Sequence, residues 1–238
     1  MIFALFRTLF VYFFTIISFF LGTTVTLLFV PFAKKKTAPF QAAAHLWSKG
    51  IAFVSGISVQ TSGFENIPKG TPMIIVANHQ GAADIPVLLA YLPLNFRFAV
   101  KKELFSIPAM GWYMRSAGFF PVDRAVILSA YKMVEKVIEI LKAGENVMIF
   151  PEGTRSHDGA LGKFKRGSLM AALKAGVPVL PVAISGSYDI MPRGTFLVNP
   201  AKVRLAVGKP VYIKNEEEYD RKVEEVRDSI AALLGPLP

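Results

Sequence analysis

From Thr8 to Ala33 the chain carries no charged residue, and Phe, Leu, Ile and Val dominate the run. As an α-helix these 26 residues extend about 39 Å, longer than the roughly 30 Å hydrocarbon core of a bilayer. The run can therefore span a membrane or lie embedded in one. Lys34, Lys35 and Lys36 follow at once. By the positive-inside rule they belong on the cytoplasmic face together with everything after them, which in a bacterium means the inner membrane. A secretory signal peptide fits poorly, because the apolar run is too long and no small-x-small cleavage site follows it.

Pro39 opens a second segment, in which Phe40, Ala43, Trp47, Ile51 and Val54 fall on one helical face and Gln41, His45 and Lys49 lie elsewhere. This predicts an amphipathic helix with a tryptophan suited to a membrane interface and a solvated His45. Two apolar helices joined by a Lys/Pro turn can form a hairpin seated in one leaflet as well as a true span. Residues 1–56 are expected to be membrane-embedded or amphipathic helices, and 57–238 an α/β domain.

Composition narrows the chemistry. The net charge of +10 suits an anionic membrane or nucleic acid. Nucleic-acid binding predicts aromatics interleaved along a basic groove, whereas here they cluster between Ile2 and Phe32. Cysteine is absent, which removes disulfides, thiolate metal sites and a cysteine nucleophile. The three histidines, His45, His79 and His157, are too widely separated to suggest a zinc site. No metal or other cofactor is expected.

From Ile57 onward, short β-branched runs alternate with helical periodicity. Strands are predicted over Ile57–Thr61, Met73–Ala77, Arg97–Val100, Phe119–Val122, Val147–Phe150, Val179–Ile184 and Val203–Val207. Helices are predicted over Ile85–Leu92, Pro108–Ala117, Ser168–Ala175 and Tyr219–Leu234, with a strongly amphipathic one from Val126 to Leu141. Such alternation implies a largely parallel sheet flanked by helices. Val177-Pro178-Val179-Leu180-Pro181-Val182 contains two prolines that cannot donate to a ladder, so it is expected near a sheet edge or a bulge.

Candidate chemistry collects where these strands end. Asn78-His79-Gln80-Gly81-Ala82-Ala83-Asp84 follows an apolar strand, which puts His79 at a carboxyl end, where open α/β sheets bind ligands. On one continuous helix His79 and Asp84 would point about 140° apart. If they act together, Gly81 and Ala82 must lie in a turn that brings the carboxylate back under the imidazole. Asp84 would then hold the Nδ1 proton and leave Nε2 free as a base. The alternative is an unremarkable strand-end histidine with Asp84 capping the next helix.

Phe150-Pro151-Glu152-Gly153-Thr154-Arg155-Ser156 occupies the same position after another strand and offers a carboxylate, two hydroxyls and a guanidinium. The planar fork of Arg155 suits a phosphate; the alternative is a polar loop closed by a Glu152–Arg155 pair. Gly118 to Arg124 is a third strand end, and Lys101-Lys102 a fourth. Together their cations would make one anion-binding edge.

In order, Asn78-His79-x4-Asp84, Gly118 to Arg124, Phe150 to Ser156 and Val177 to Val182 resemble the four blocks of the glycerophospholipid acyltransferases, and the size resembles that of the 1-acylglycerol-3-phosphate acyltransferases. The resemblance covers roughly Met73 to Gly208. It implies that His79 is the catalytic base, Asp84 its partner, and that Arg124, Glu152, Gly153 and Arg155 serve a phosphorylated acceptor; Lys101 and Thr154, at the same strand ends, are candidates for substrate binding beside them. The implied reaction is acyl transfer from acyl-CoA or acyl-carrier protein to the free hydroxyl of lysophosphatidate at a membrane, with backbone N–H groups near Gly153 available for the oxyanion. The family often has serine where Gly81 stands, so a hydroxyl contact from that position is absent here. Two other readings compete: an acyltransferase for glycerol 3-phosphate or another lysolipid, and a noncatalytic protein that binds anionic lipid or nucleic acid.

Overall fold

A computed structural model of the chain describes residues 2–122, 127–192 and 194–235. The uncharged run forms a single helix, α1 (Ile2–Phe29). Several of its hydroxyls are satisfied inside the helix, as an apolar setting favours, though Thr23 Oγ1 has no partner among the described residues. Thr8 donates to the carbonyl of Ala4, Ser18 to Phe14 and Thr26 to Gly22. A short 3-10 turn over Val30–Phe32 ends the run. The ammonium of Lys36 donates to the carbonyls of Val30 and Pro31 at 3.1 and 3.4 Å, satisfying acceptors that a helix end leaves open. The chain then turns into α2 (Ala38–Val54).

The remainder alternates: β1 (Ile57–Ser62), β2 (Ile74–Ala77), α3 (Asp84–Tyr91), β3 (Phe96–Lys101), α4 (Pro108–Ser116), β4 (Phe120–Val122), α5 (Ile127–Lys142), β5 (Asn146–Ile149), α6 (Met170–Ala175), β6 (Val179–Ser185), β7 (Ala201–Val207) and α7 (Tyr219–Leu233). Among the described residues the strands make one sheet in the order β1-β7-β6-β2-β5-β3-β4, in which only the β6–β7 pair is antiparallel. The largely parallel α/β architecture expected from the alternation is what the chain forms.

The sheet divides two apolar cores, and the two-residue period of a strand assigns side chains to them. Ile75 and Ala77 of β2 join Val87, Leu88, Phe98 and Met114 on one side, along with Val11 of α1 and Phe40 and Ala44 of α2. Ile74 and Val76 join Val137, Ile140, Ala172, Val226 and Ile230 on the other. Strands β2, β5 and β6 are therefore covered on both faces, which explains their unbroken apolar runs.

Three expectations need correction. The buried stripe of α2 is Phe40, Gln41, Ala44, Ser48 and Ala52, not the stripe of large apolar residues. Small residues there allow α2 to pack closely on α3. Gln41 donates to the carbonyl of Ala117 at 3.1 Å, and Trp47 turns to α1, where its indole N–H reaches the carbonyl of Thr15 at 3.2 Å. His45 is half-buried, with its Nδ1 2.8 Å from the carbonyl oxygen of Leu89, so it is only partly solvated. Finally, β6 lies inside the sheet between β7 and β2. Pro181 is tolerated because a bulge lies opposite it: Val182 pairs with Val207, yet Val179, three residues earlier, pairs with Val211, four residues later. The edge expectation fails and the bulge expectation holds.

Both ends of α1 are tied to the α/β body. Near its start, Arg7 donates to the carbonyl of Val198 at 3.0 Å, Thr8 accepts from the Val198 N–H at 3.0 Å, and Tyr12 donates to the carbonyl of Phe196 at 2.7 Å. Beyond its end, Lys35 pairs at 2.8 Å with Glu145, which also takes a two-pronged bond from Arg97 of β3. Burial alone would raise the Glu145 carboxyl, but the hydrogen bonds and charges of Arg97 and Lys35 outweigh it and hold the carboxyl below the usual glutamate range. A carboxyl lowered in the folded state stabilises fully above its unfolded value, near 4.5, and loses that contribution as pH falls through the folded value. Glu145→Gln is expected to cost about 1–3 kcal/mol at neutral pH. The gap to wild type should close below the usual glutamate range, as checked by thermal melts of the solubilised protein across pH.

Candidate active site

Three adjacent strands, β6, β2 and β5, run in the same direction and release their loops at one edge. After β2, Asn78 prolongs the ladder with its side chain, donating to the Ile184 carbonyl at 2.9 Å and accepting from the Ile184 N–H at 2.8 Å. The next residue is His79, delivered by a backbone that cannot slide.

The residues Gly81 to Ala83 turn, and Asp84 opens α3. This turn overcomes the angular separation that a continuous helix would impose. His79 Nδ1 lies 2.7 Å from Asp84 Oδ2. Asp84 is wholly buried, so its oxygens need protein donors. Oδ2 also accepts the N–H of Gly81 at 2.9 Å, and Oδ1 accepts the hydroxyl of Ser187 at 2.5 Å. The cap position of α3 is Ala83, and among the described residues the Asp84 carboxylate bonds His79, Gly81 and Ser187 and no N–H of α3, so the capping alternative fails. The His79 ring stacks on Phe150 with centroids 4.0 Å apart and planes 14° from parallel. Between the carboxylate and this ring the imidazole has its plane and one nitrogen fixed. Nε2 makes no hydrogen bond among the described residues.

The loop after β5 braces the histidine from the other side. Glu152 Oε1 accepts the backbone N–H of His79 at 2.7 Å, and Oε2 accepts that of Gly162 at 2.8 Å. The carbonyl of His79 in turn accepts the N–H of Ser156 at 2.7 Å. Glu152 is thus committed to backbone, and the Glu152–Arg155 pair does not form. Thr154 and Arg155 are exposed, and Arg155 makes no ion pair or hydrogen bond among the described residues. The N–H of Gly153 is donated to Phe150 at 3.0 Å, which removes that donor from the expected oxyanion set. Lys101, at the end of β3, is exposed and 3.4 Å from Glu103. Arg124 lies outside the described residues.

Ser187 is the residue that the sequence did not single out. It stands 103 positions from Asp84, just past β6, and only the order of strands in the sheet brings the two together. The available signal was the Ser185-Gly186-Ser187 turn after an apolar strand, a further strand end of the kind that carried the other candidates. At Gly81 a Cβ would meet its nearest neighbour, the Ser187 carbonyl, at 3.4 Å, ordinary contact, so the loop has room for the side chain it lacks.

The family model described as Acyltransferase matches residues 58–185, from β1 to the end of β6. The chain belongs to the acyltransferase family. Among relatives of this acyltransferase, a chloroplastic 1-acyl-sn-glycerol-3-phosphate acyltransferase of Arabidopsis thaliana is 36% identical over 220 residues, covering 92% of this chain and 60% of the plant protein. A 1-acyl-sn-glycerol-3-phosphate acyltransferase of Pseudomonas aeruginosa is 32% identical over 192 residues, 77% of this chain and 73% of that one. The crystal structure of the 1-acyl-sn-glycerophosphate (LPA) acyltransferase PlsC from Thermotoga maritima superposes with a TM-score of 0.84 at 34% identity, covering 100% of this chain and 98% of that one. The chain spans little more than half the length of the plant and algal relatives it matches.

Loss of the Ser187 hydroxyl removes one of three donors from a buried carboxylate. Ser187→Ala in this acyltransferase is expected to lower kcat about 10- to 100-fold with little change in KM, the usual worth of a hydrogen bond to a charged group. Steady-state acyl transfer by the two proteins measures it.

Proposed function

We propose that this acyltransferase transfers a fatty acyl group from an acyl thioester, acyl-CoA or acyl-carrier protein, to the sn-2 hydroxyl of 1-acylglycerol 3-phosphate, yielding phosphatidate. The observation that carries the mechanism is the 2.7 Å contact between His79 Nδ1 and the buried Asp84. The substrate class is supported by the printed names of the relatives and of the structural neighbour.

Asp84 keeps the ring proton on Nδ1, so Nε2 presents a lone pair to the acceptor hydroxyl. As the hydroxyl oxygen attacks the thioester carbonyl, its proton passes to Nε2, and Asp84 stabilises the imidazolium that forms. Collapse of the tetrahedral intermediate expels the thiolate, which recovers that proton from Nε2. Phe150 covers one face of the ring and limits its rotation. Arg155 holds the acceptor phosphate in this reading, a role supported by its exposure and by its having no partner among the described residues. Arg124 keeps the acceptor-binding role the resemblance implies, and Lys101 and Thr154 are candidates for the same substrate. Glu152 acts through His79 by fixing its backbone.

We also infer that α1 attaches the domain to the cytoplasmic face of a membrane while lying along it. Phe3, Phe6, Phe10, Phe13, Phe20 and Leu28 are exposed along its length, and the opposite side is bonded to the body near both ends. A helix so held presents its apolar stripe sideways, which favours the one-leaflet hairpin over a crossing. Acceptor and product then keep their acyl tails in the bilayer instead of entering water at about 0.8 kcal/mol per CH₂.

With labelled acyl-CoA and lysophosphatidate, wild type is expected to form phosphatidate, and His79→Ala to lose ~10² to 10⁴ in rate with its fold intact by circular dichroism. A variant keeping most of its turnover would remove His79 from the base role. Replacing Phe6, Phe10 and Phe13 together by Ser should release the protein from neutral vesicles in a flotation assay without altering its melting temperature by more than a few degrees.

A further inference from the structure

Lys165 is a cation that the reading above leaves without a role. It belongs to the turn-rich stretch after the Glu152 loop, and its backbone N–H donates to the carbonyl of Pro151 at 3.0 Å. The side chain folds back over Gly153. A Cβ built on Gly153 would stand 2.5 Å from Lys165 Cε and 2.6 Å from Nζ. Gly153 also has φ +75°, so a side chain there is opposed by backbone conformation and by the lysine together. The ammonium therefore lies against the loop that bears Thr154 and Arg155.

The charge around it is unbalanced. Lys165 and Arg155 make no ion pair or hydrogen bond through their side chains among the described residues. Of the two carboxylates of this loop, Glu152 has both oxygens committed to the N–H groups of His79 and Gly162, and Asp158 accepts from the Ser156 hydroxyl and the Ala160 N–H and makes no ion pair among the described residues. Lys163 on the same stretch is likewise exposed and without an ion pair among the described residues, and the next residue, Arg166, bonds Asp220, so it is the packing on Gly153 that sets Lys165 apart. Arg155 and Lys165, the one following and the other packed on Gly153 beside the Glu152 that braces the His79 backbone, together match a doubly charged anion. A phosphomonoester carries roughly −1.5 to −2 at neutral pH, whereas a phosphodiester headgroup carries a single negative charge.

We propose that Lys165 joins Arg155 in a two-cation clamp on the phosphomonoester of the acceptor, and that Lys165 sets the preference for this headgroup over phosphodiester lysolipids. The proposal rests on the lysophosphatidate reading above. Arginine supplies the planar fork, lysine the compact mobile charge that closes on the remaining oxygen.

The same chemistry could serve the phosphates of coenzyme A, so the test varies each substrate in turn. Acceptor and donor KM are measured for wild type, Lys165→Gln and Lys165→Arg in detergent micelles, with oleoyl-CoA, lysophosphatidate and lysophosphatidylglycerol. Lys165→Gln should raise the lysophosphatidate KM about 10- to 100-fold, the worth of one charge-assisted bond, with kcat changed by less than about threefold. The donor KM should stay put, the preference for lysophosphatidate over lysophosphatidylglycerol should shrink by a similar factor, and Lys165→Arg should retain most of the affinity. The clamp is overturned if Lys165→Gln keeps the wild-type acceptor KM and preference, or if the donor KM rises instead. Loss of kcat in both variants also overturns it, since Lys165 would then belong to folding or to the chemical step. A wild type that fails to acylate lysophosphatidate overturns the underlying reading and the clamp together, whereas a failure confined to the Lys165 variants leaves that reading standing.

Discussion

A carboxylate with no solvent exposure dictates much of what surrounds it. Asp84 cannot turn to water, so its acceptor positions have to be filled by protein donors, or its burial would cost several kcal/mol. Three groups from three places fill them: the imidazole of His79, the backbone N–H of Gly81 and the hydroxyl of Ser187. Each constrains a different part of the chain. The Gly81 bond fixes the turn, the Ser187 bond ties the segment after β6 to the start of α3, and the His79 bond sets the ring. The imidazole geometry thus follows from satisfying a buried charge, before any substrate is present.

That same need explains why strands β6, β2 and β5 are neighbours at the centre of the sheet. Ser187, His79 and Glu152 follow them respectively, and parallel strands release their loops at one edge. The sequence reveals much of this, because buried parallel strands read as β-branched runs and the residues after them read as loops. His79, Asp84 and the Glu152–Arg155 stretch were legible in that way. Strand order was not, since nothing local says that β6 inserts between β7 and β2, and so Ser187 stayed invisible. Pro181 misled for a related reason: proline argues against a central strand unless a bulge removes the donor's partner, and a bulge depends on two distant segments.

Helix α2 marks another limit. Its periodicity points to the face with the largest apolar residues, and the buried face is the one with Ala44, Ser48 and Ala52. Binary patterning assumes one core and one solvent. Here α2 lies against α3 while α1 receives Trp47, so both sides of the helix have partners and side-chain size, not polarity, sorts them. His45 follows from the same crowding, because the backbone carbonyl of Leu89 is close enough to take its ring nitrogen. A helix whose surroundings are partly protein and partly apolar solvent cannot be oriented by a water-based moment.

Glu152 shows how a motif residue can be central without touching substrate. A carboxylate beside a phosphate would repel it, and in this loop the negative charge is drawn instead onto two backbone N–H groups, one of them on His79. The consequence is electrostatic as well as mechanical. With Glu152 turned inward, it offers no counter-ion to Arg155 or Lys165, and the loop keeps a net positive charge beside the His79 backbone. The glycine at position 153 belongs to the same arrangement, since any side chain there would displace the lysine. Histidine placement and anion attraction are therefore not separate devices in this fold. A single inward-facing carboxylate secures the first and leaves Arg155 without a counter-ion among the described residues, so Glu152, Gly153 and Arg155 act together within four consecutive residues.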